Sequence, residues 1–399
     1  LRLAENKDCL TVLDFVGNAR PEYDFEHKFR ALVGKTHTSI IKEIEDEFPH
    51  LPLGCSIVLE KKAKEIIIKN IKEATEFRRP QLLQKIKNFK HVTTLPLTLS
   101  NFLEFHNLDI RQIYRKGSWK RLCADAGEIK DFKDPQEKEI TSCLQKKLIH
   151  CNSISYLSFL LKLIKENFKD TIYTQEEEIM LLMFHYDIWQ ESGLKLGFKT
   201  IRESLQILRN NETMLQEMVE FVNHLIDSIE FVEKDIDLKF PYPLKIHSKY
   251  NREQILVSLG LSTFEKQSSN REGVALQKDL NIEALFITLK KTEKDYSPTT
   301  MYEDYALSNQ LIHWQSQNST APLSPKGASY INHRVDGKKI ILFIREQNTD
   351  EYGFTMSYTF LGEANFIKSK GEKPMNIEWK LNEPMPSFLL KGSQKLAIG

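Results

Sequence analysis

Apolar residues along this chain recur with two different periods, and the change between them divides the sequence. Near the start, Leu10 to Val16 is a near-continuous apolar run, the pattern of a strand buried on both faces of a parallel sheet. Such a strand needs ladder partners, which would have to precede Leu1. After Pro49, Pro52 and Gly54, the segment Ser56 to Phe77 repeats Val58, Ala63, Ile66, Ile67, Ile71 and Ala74 at helical spacing. Between Ser100 and Gly127, Ser100, Asp109 and Ser118 suit N-caps and Gly127 a C′ position, predicting three short helices as in helix-turn-helix folds. Residues 136–240 read as helical throughout. The capping box Thr174-Gln175-Glu176-Glu177 opens one helix, and a stripe from Leu205 to Ile229 forms another.

Phe240-Pro241-Tyr242-Pro243 cannot continue a helix and marks a boundary. Asn251 opens one further helix, closed by Gly260. The period then shortens. Strands are expected at Ala284–Leu289, Leu311–Gln317, Ser329–His333, Lys339–Ile344, Met356–Phe360, Ala364–Lys368 and Met375–Leu381, with turn signals at Asp336-Gly337, Gly362 and Gly371. The expected fold class is α+β multidomain: an N-terminal strand left over from a preceding domain, a central all-α region, and a small antiparallel β barrel or curved sheet at the C-terminus.

With 41% hydrophobic and 28% charged residues, the 399-residue chain is an ordinary globular protein, long enough for two or three domains. The net charge of +1 requires any nucleic-acid surface to be a local patch. Five scattered cysteines without a CxxC pair suit a reducing, cytoplasmic setting and offer no zinc spacing. No apolar run reaches the roughly 18 residues of a membrane span. The start, Leu1-Arg2-Leu3, lacks an initiator Met and signal-peptide grammar, so a cut end of a longer protein is expected. His150, His185 and His224 each stand singly among apolar residues, as satisfied core or surface imidazoles do.

Candidate chemistry lies in two places. Lysines and arginines outnumber acids from Lys61 to Lys90, and Arg111, Arg115, Lys116, Lys120 and Arg121 crowd around Tyr114 and Trp119. Basic residues interleaved with aromatics suit a surface that grips a nucleic-acid backbone, with Trp119 itself expected in a core. The second place is Leu285 to Gln317. There Lys290, Lys291 and Lys294 would hold phosphates, Tyr302, Tyr305 and Trp314 would wall a pocket for a flipped or modified base, and His313, Gln315 and Gln317 would meet its edge. Strand alternation places His313, Gln315 and Gln317 on one face and Ile312, Trp314 and Ser316 on the other, which opposes a shared wall. Two other classes stay open. A metal-dependent nuclease would use carboxylates such as Asp336, Glu346, Glu303 and Asp304, and a recruitment module would bind protein. Gly34-Lys35-Thr36 mimics the tail of a phosphate-binding loop, but Phe29 stands where its first glycine belongs.

The segment LRLAENKDCLTVLDFVGN resembles the last strand of the second motor domain of bacterial superfamily II helicases. By that resemblance Arg2 matches the final arginine of a motif facing the ATP γ-phosphate. Thr292 to Ala306, HWQSQ (His313 to Gln317), YINH (Tyr330 to His333), TFLG (Thr359 to Gly362) and Pro374-Met375 resemble an uncharacterised domain that closes one class of these helicases. That class also carries an N-terminal phospholipase D-like nuclease domain and is associated with restriction or phage defence. The resemblance implies that ATP and Mg²⁺ belong to the parent protein and that this chain needs no cofactor; the expected partner is DNA, duplex or single-stranded, with modified DNA among the candidates. The implied organisation is a motor-domain end at 1–20, a linker and basic helical region at 21–128, a helical bundle at 129–240, and a β-rich module of PUA- or SRA-like form at 241–399.

Overall fold

In the computed structural model, the described residues are 25–33, 40–48, 51, 55–75, 78–289, 304–386 and 389. The strand expected at Leu10–Val16, Gly34-Lys35-Thr36, and the candidate site residues Arg2, Lys290, Lys291, Lys294 and Tyr302 lie outside them. The chain forms two compact units, residues 1–78 and 79–399.

The first unit contains α1 (Phe25–Val33), α2 (Ile40–Glu45) and α3 (Lys61–Thr75). Phe25, Phe29, Ile40, Ile44, Phe48, Ile67 and Ile71 form its core. Ile67 and Ile71, four apart, share the face of α3 that packs inward. Val58, expected inside this helix, precedes it and is 90% exposed.

The second unit begins with helices: α4 (Arg79–Val92), α5 (Leu99–His106), α6 (Ile110–Tyr114), α7 (Trp119–Asp125), α8 (Glu137–Cys143), α9 (Ile154–Lys165), α10 (Gln175–Trp189), α11 (Ile201–Gln206) and α12 (Glu212–Asp227). Short-range chemistry sets their ends. Asp109 and Thr174 close capping boxes on α6 and α10. Thr98, not Ser100, caps α5, because its oxygen reaches the Asn101 N–H. Ser118 stands at the N-cap of α7 without capping it. Instead the buried Glu217 carboxylate on α12 accepts the backbone N–H of Trp119 (2.7 Å) and Lys120 (2.9 Å), together with the Tyr114 hydroxyl (2.8 Å). His185 is a satisfied core imidazole, with Nδ1 at 2.8 Å from Ser204 Oγ and Nε2 at 3.0 Å from the Glu191 carbonyl.

The remainder is β1 (Lys249–Tyr250), α13 (Arg252–Ser258), β2 (Val274–Gln277), β3 (Ile282–Thr288), β4 (Tyr305–Ala306), β5 (Leu311–Gln315), α14 (Pro325–Ile331), β6 (Lys339–Arg345), β7 (Tyr358–Lys370) and β8 (Asn376–Leu381). The strands form one mixed sheet in the order β2-β3-β6-β7-β8-β5-β4, with β1 added to β7. It is a curved sheet rather than a closed barrel, and one pairing departs from the antiparallel expectation. β3 and β6 run parallel from Ile282↔Lys339 to Thr288↔Arg345, joined by a crossover that includes α14. Every residue of β3 is buried, as a parallel strand covered on both faces requires.

Two expectations for individual strands are corrected. Ser329–His333 is not a strand: Ser324 caps and Pro325 starts helix α14, which runs to Ile331. Met356–Phe360 and Ala364–Lys368 are one long strand, β7. It continues through Gly362 at φ +77°, a left-handed conformation that glycine adopts freely, beside a register shift opposite Leu342 and Phe343.

One face of the sheet buries Leu285, Ile287, Leu342, Trp314, Trp379 and Tyr330. The other carries a ladder of Phe286, Phe343 and Phe360, with ring centroids 5.7 Å and 4.7 Å apart. Helix α14 is anchored from within: Lys326 and Tyr330, one turn apart, both reach buried Glu283 on β3, and Lys338 joins them. Burial alone would raise the Glu283 carboxyl, but the two lysines outweigh it and hold the group below its ordinary value.

The helices and the sheet are joined by buried polar contacts. Asp187 on α10 accepts hydrogen bonds from Tyr156 Oη (2.7 Å), Asn251 Nδ2 (2.8 Å) and Gln254 Nε2 (2.8 Å). Arg111 on α6 reaches Asp350, in the hairpin between β6 and β7.

Candidate anion-binding cleft

The sheet curls so that the β2–β3 flank and the end of β5 face one opening without pairing. Gln317 Nε2, just past β5, donates to Glu272 Oε2, just before β2, at 3.2 Å. The cleft between the flanks has a volume of about 880 Å³. Its walls include Arg252, Arg271, Phe286, Thr288, Arg345 and Tyr358 on one side, and Asp304, Trp314, Gln315, Gln317, Thr320 and Ser324 on the other.

Local structure fixes two of the arginines. Arg252 is the first residue of α13, and its guanidinium lies 4.0 Å from the Phe286 ring centroid. Its Nε donates to the Asn270 carbonyl (3.3 Å), and its Nη2 to Asn270 Oδ1 (2.6 Å) and the Glu272 carbonyl (2.5 Å). Arg345 ends β6, where an apolar strand runs out of the core. Its guanidinium lies 4.5 Å from the Tyr358 ring centroid, and its Nε donates to Thr288 Oγ1 at 3.1 Å. Nη2 donates to Asn348 Oδ1 and Nη1 to the Met356 carbonyl. The two rings meet edge to face at 5.3 Å, so both guanidiniums sit over one aromatic pair.

Every acceptor holding these two side chains is neutral. Among the described residues, neither they nor Arg271 pair with a carboxylate. Burial, and then the nearby charges of Arg271 and Arg345, make Arg252 easier to deprotonate than an ordinary arginine, against the pull of Tyr358. The cleft therefore gathers three arginines that form no ion pair among the described residues, with the carboxylates of Glu272 and Asp304 also in its lining. Lys326 also lines it, but its ammonium is committed to Glu283. Fixed guanidiniums with spare N–H donors are suited to phosphate or carboxylate oxygens.

The residues singled out in the sequence are distributed otherwise. Arg111 is 8% exposed, bonded to Asp109 and Asp350 and close to Glu351. It is structural and leaves the proposed nucleic-acid path. Arg121 pairs with Asp131 and Glu137, and Lys120 with Glu220, so those charges are spent inside the protein. Arg115 is exposed and Lys116 half-buried, and neither forms an ion pair among the described residues.

Tyr305 and His313 are paired across β4 and β5, their rings stacked with centroids 4.5 Å apart. Trp314, on the opposite face, is 4% exposed and packs against Tyr330 and Trp379. It is chiefly a core residue that shows an edge to the cleft, so it does not form a stacking wall with Tyr305. The Gln315 side chain donates to Asn376 Oδ1 (3.2 Å), while its backbone N–H donates to Asp304 Oδ1 (2.9 Å). Trp314 and Gln315 nevertheless border the same opening, because it lies where β5 ends.

Of the nuclease carboxylates, Glu303 lies outside the described residues, and Asp336 and Glu346 do not converge. Asp336 and Glu346 stand beyond opposite ends of β6, whose seven residues separate them by roughly 20 Å. Among the described residues no three His, Cys, Asp or Glu side chains gather as a metal ion would require.

Sequence reasoning missed Arg252, Arg271 and Arg345 as site residues. The available signal was a charged residue closing a wholly apolar strand, as Arg345 does after Ile340–Ile344. The fold and cleft together describe an α+β protein whose curved C-terminal sheet presents an arginine-lined recess. Residues 244–391, from just past Pro243 through β8, match a family model described as "Domain of unknown function (DUF3427)". No curated protein matches the chain. Among the described residues, no helix is long and apolar enough to cross a membrane.

Proposed function

We propose that this chain is the C-terminal accessory region of an ATP-dependent superfamily II DNA helicase of a restriction or phage-defence system, and that it binds DNA. In this reading it works in the cytoplasm. The nucleotide-hydrolysing centre, the phospholipase D-like domain, and their ATP and Mg²⁺ belong to the parent protein. The observation that carries the reading is the gathering of Arg252, Arg271 and Arg345, none in an ion pair among the described residues, in the curved-sheet cleft. The match of residues 244–391, which contains that cleft, to DUF3427 adds support, because the uncharacterised terminal domain of that helicase class is what the sequence resembles there. Arg115 and Lys116 add a second basic contact on the helical side.

Arginines held by neutral acceptors over aromatic rings suit phosphate oxygens with bases nearby. Binding of this kind releases counterions, so log K falls linearly with log salt. The test is fluorescence anisotropy of labelled single-stranded and duplex DNA with the full chain across a salt series. A steep slope, reduced in Arg252→Met/Arg345→Met, is expected. Binding that is absent at every ionic strength, or indifferent to salt, would remove the reading and favour a protein-recruitment role. Mg²⁺-dependent nicking lost in Glu346→Ala would favour a nuclease instead.

A further inference from the structure

We infer that the cleft receives one unpaired nucleotide, its phosphate between Arg252 and Arg345 and its base turned toward the wall of Gln317, Thr320 and Ser324. This rests on the nucleic-acid reading above and narrows it to a ligand class.

Three observations carry it. The first is a donor count. A guanidinium has five N–H donors. Arg252 commits its Nε and Nη2 to Asn270 and Glu272, and Arg345 one donor from each of its three nitrogens. Each side chain keeps N–H groups for a ligand while its position is already fixed. Stacking on Phe286 and Tyr358 sets both planes, so little freedom is lost on binding.

The second is that the cleft is two-sided in character. Opposite the arginines stand Asp304, Gln317, which reaches across to Glu272 beside Arg271, and the hydroxyls of Thr320 and Ser324. A bare polyanion would meet the Asp304 carboxylate on that wall. A molecule with an anionic end and an uncharged, donor-bearing end satisfies both sides, and a nucleotide has that form.

The third is enclosure. The cleft is walled by both flanks of one curled sheet, and its 880 Å³ falls within the usual range for small-ligand sites. A duplex cannot enter such a recess, whereas a flipped, terminal or single-stranded nucleotide can.

The test is isothermal titration calorimetry of the full chain with 5′-dCMP, 5′-dTMP, deoxycytidine and inorganic phosphate. The mononucleotides are expected to bind at least about tenfold more tightly than either the nucleoside or inorganic phosphate, since only they engage both walls. Arg345→Met should lose about tenfold or more for mononucleotides. Exposed Arg271→Ala, which leaves the core untouched, should lose less. Glu272→Gln should change the dCMP-to-dTMP ratio.

Mononucleotides binding no tighter than inorganic phosphate would overturn the inference, leaving a plain anion site. So would a folded Arg345→Met that binds them like the parent chain. If the chain still binds DNA in a salt-dependent way, only this inference fails. If DNA binding is also absent, the nucleic-acid reading fails with it.

Discussion

Arg111 on α6 lies 3.2 Å from the carboxylate of Asp350, in the hairpin that follows β6. Asp350 turns that hairpin by accepting the N–H of Tyr352 (3.0 Å) and Phe354 (2.8 Å), and His150 Nε2 lies 3.1 Å from its other oxygen. Burial, reinforced by Arg111 and Lys249, depresses the His150 imidazole despite the nearby carboxylate, so it is neutral and Arg111 supplies the positive charge. The hairpin base also holds Arg345 through Asn348 and Met356. One short hairpin thus links the helices to the cleft.

Removing the cation leaves Asp109 and Asp350 without their counter-charge. Breaking a buried pair from one side costs about 3–5 kcal/mol. Arg111→Met should therefore lower the urea midpoint of the 79–399 unit markedly, and Arg111→Met/Asp350→Asn should recover part of the loss. A midpoint equal to the parent's would show that the contact contributes nothing. Burial alone would raise both carboxyls above their ordinary value of 3.8, but Arg111 holds Asp109 below it, and the His150 contact followed by Arg111 holds Asp350 below it. Their contribution is present above that value and lost as the pH falls through the folded-state values. The acid-side loss of stability should be shallower in Arg111→Met.

Glu217 titrates in the opposite sense. Burial raises its carboxyl from 4.5 to about 7, against the pull of the Lys120 and Trp119 N–H groups and the Tyr114 hydroxyl. A carboxyl raised on folding contributes stability that is complete below 4.5 and lost as the pH rises through about 7. Subtracting the stability profile of Glu217→Gln from that of the parent chain should give a difference that declines across this window. A difference that is flat there would mean that the N–H donors, not burial, control the group.

Trp314 separates core from ligand wall. Truncation of a buried Trp costs about 3–5 kcal/mol. Trp314→Ala should melt the sheet unit at a much lower temperature, and Trp314→Phe should recover much of the loss. An unchanged melting temperature with weakened DNA binding would instead assign the indole to ligand stacking.

Legibility in the sequence followed the range of the interactions. The capping boxes at Asp109, Thr174 and Asn251 are contained within four residues, and the helices they open begin where the pattern places them. β6 and β8 also fall within a residue or so of their expected bounds, because alternation is local. The segment Ser329–His333 misled because Ser-Tyr-Ile-Asn-His alternates like a strand. Its helical state is secured by Glu283, 47 residues before Tyr330, which no local period reveals. The same limit explains Arg111: its partner Asp350 lies 239 residues away, so a buried cation looked like a free one. The cleft was least legible, since its arginines come from α13, the loop before β2 and the end of β6.

The basic cluster around α6 and α7 can now be sorted by which charges remain available. Arg121 is engaged by Glu137 and Asp131, which raise its guanidinium against the opposing effect of burial, and Lys120 is engaged by Glu220. Arg115 and Lys116 have no such partner among the described residues. Each phosphate contact contributes about 0.7 to 0.9 to the salt slope of binding, depending on whether the DNA is single- or double-stranded. Arg115→Ala/Lys116→Ala should therefore lower the slope by about 1.4 to 1.8 while leaving the melting temperature unchanged, if both residues touch phosphate. Arg121→Ala should do the reverse, lowering the melting temperature and keeping the slope. Equal slopes in all three proteins would remove Arg115 and Lys116 from the DNA path.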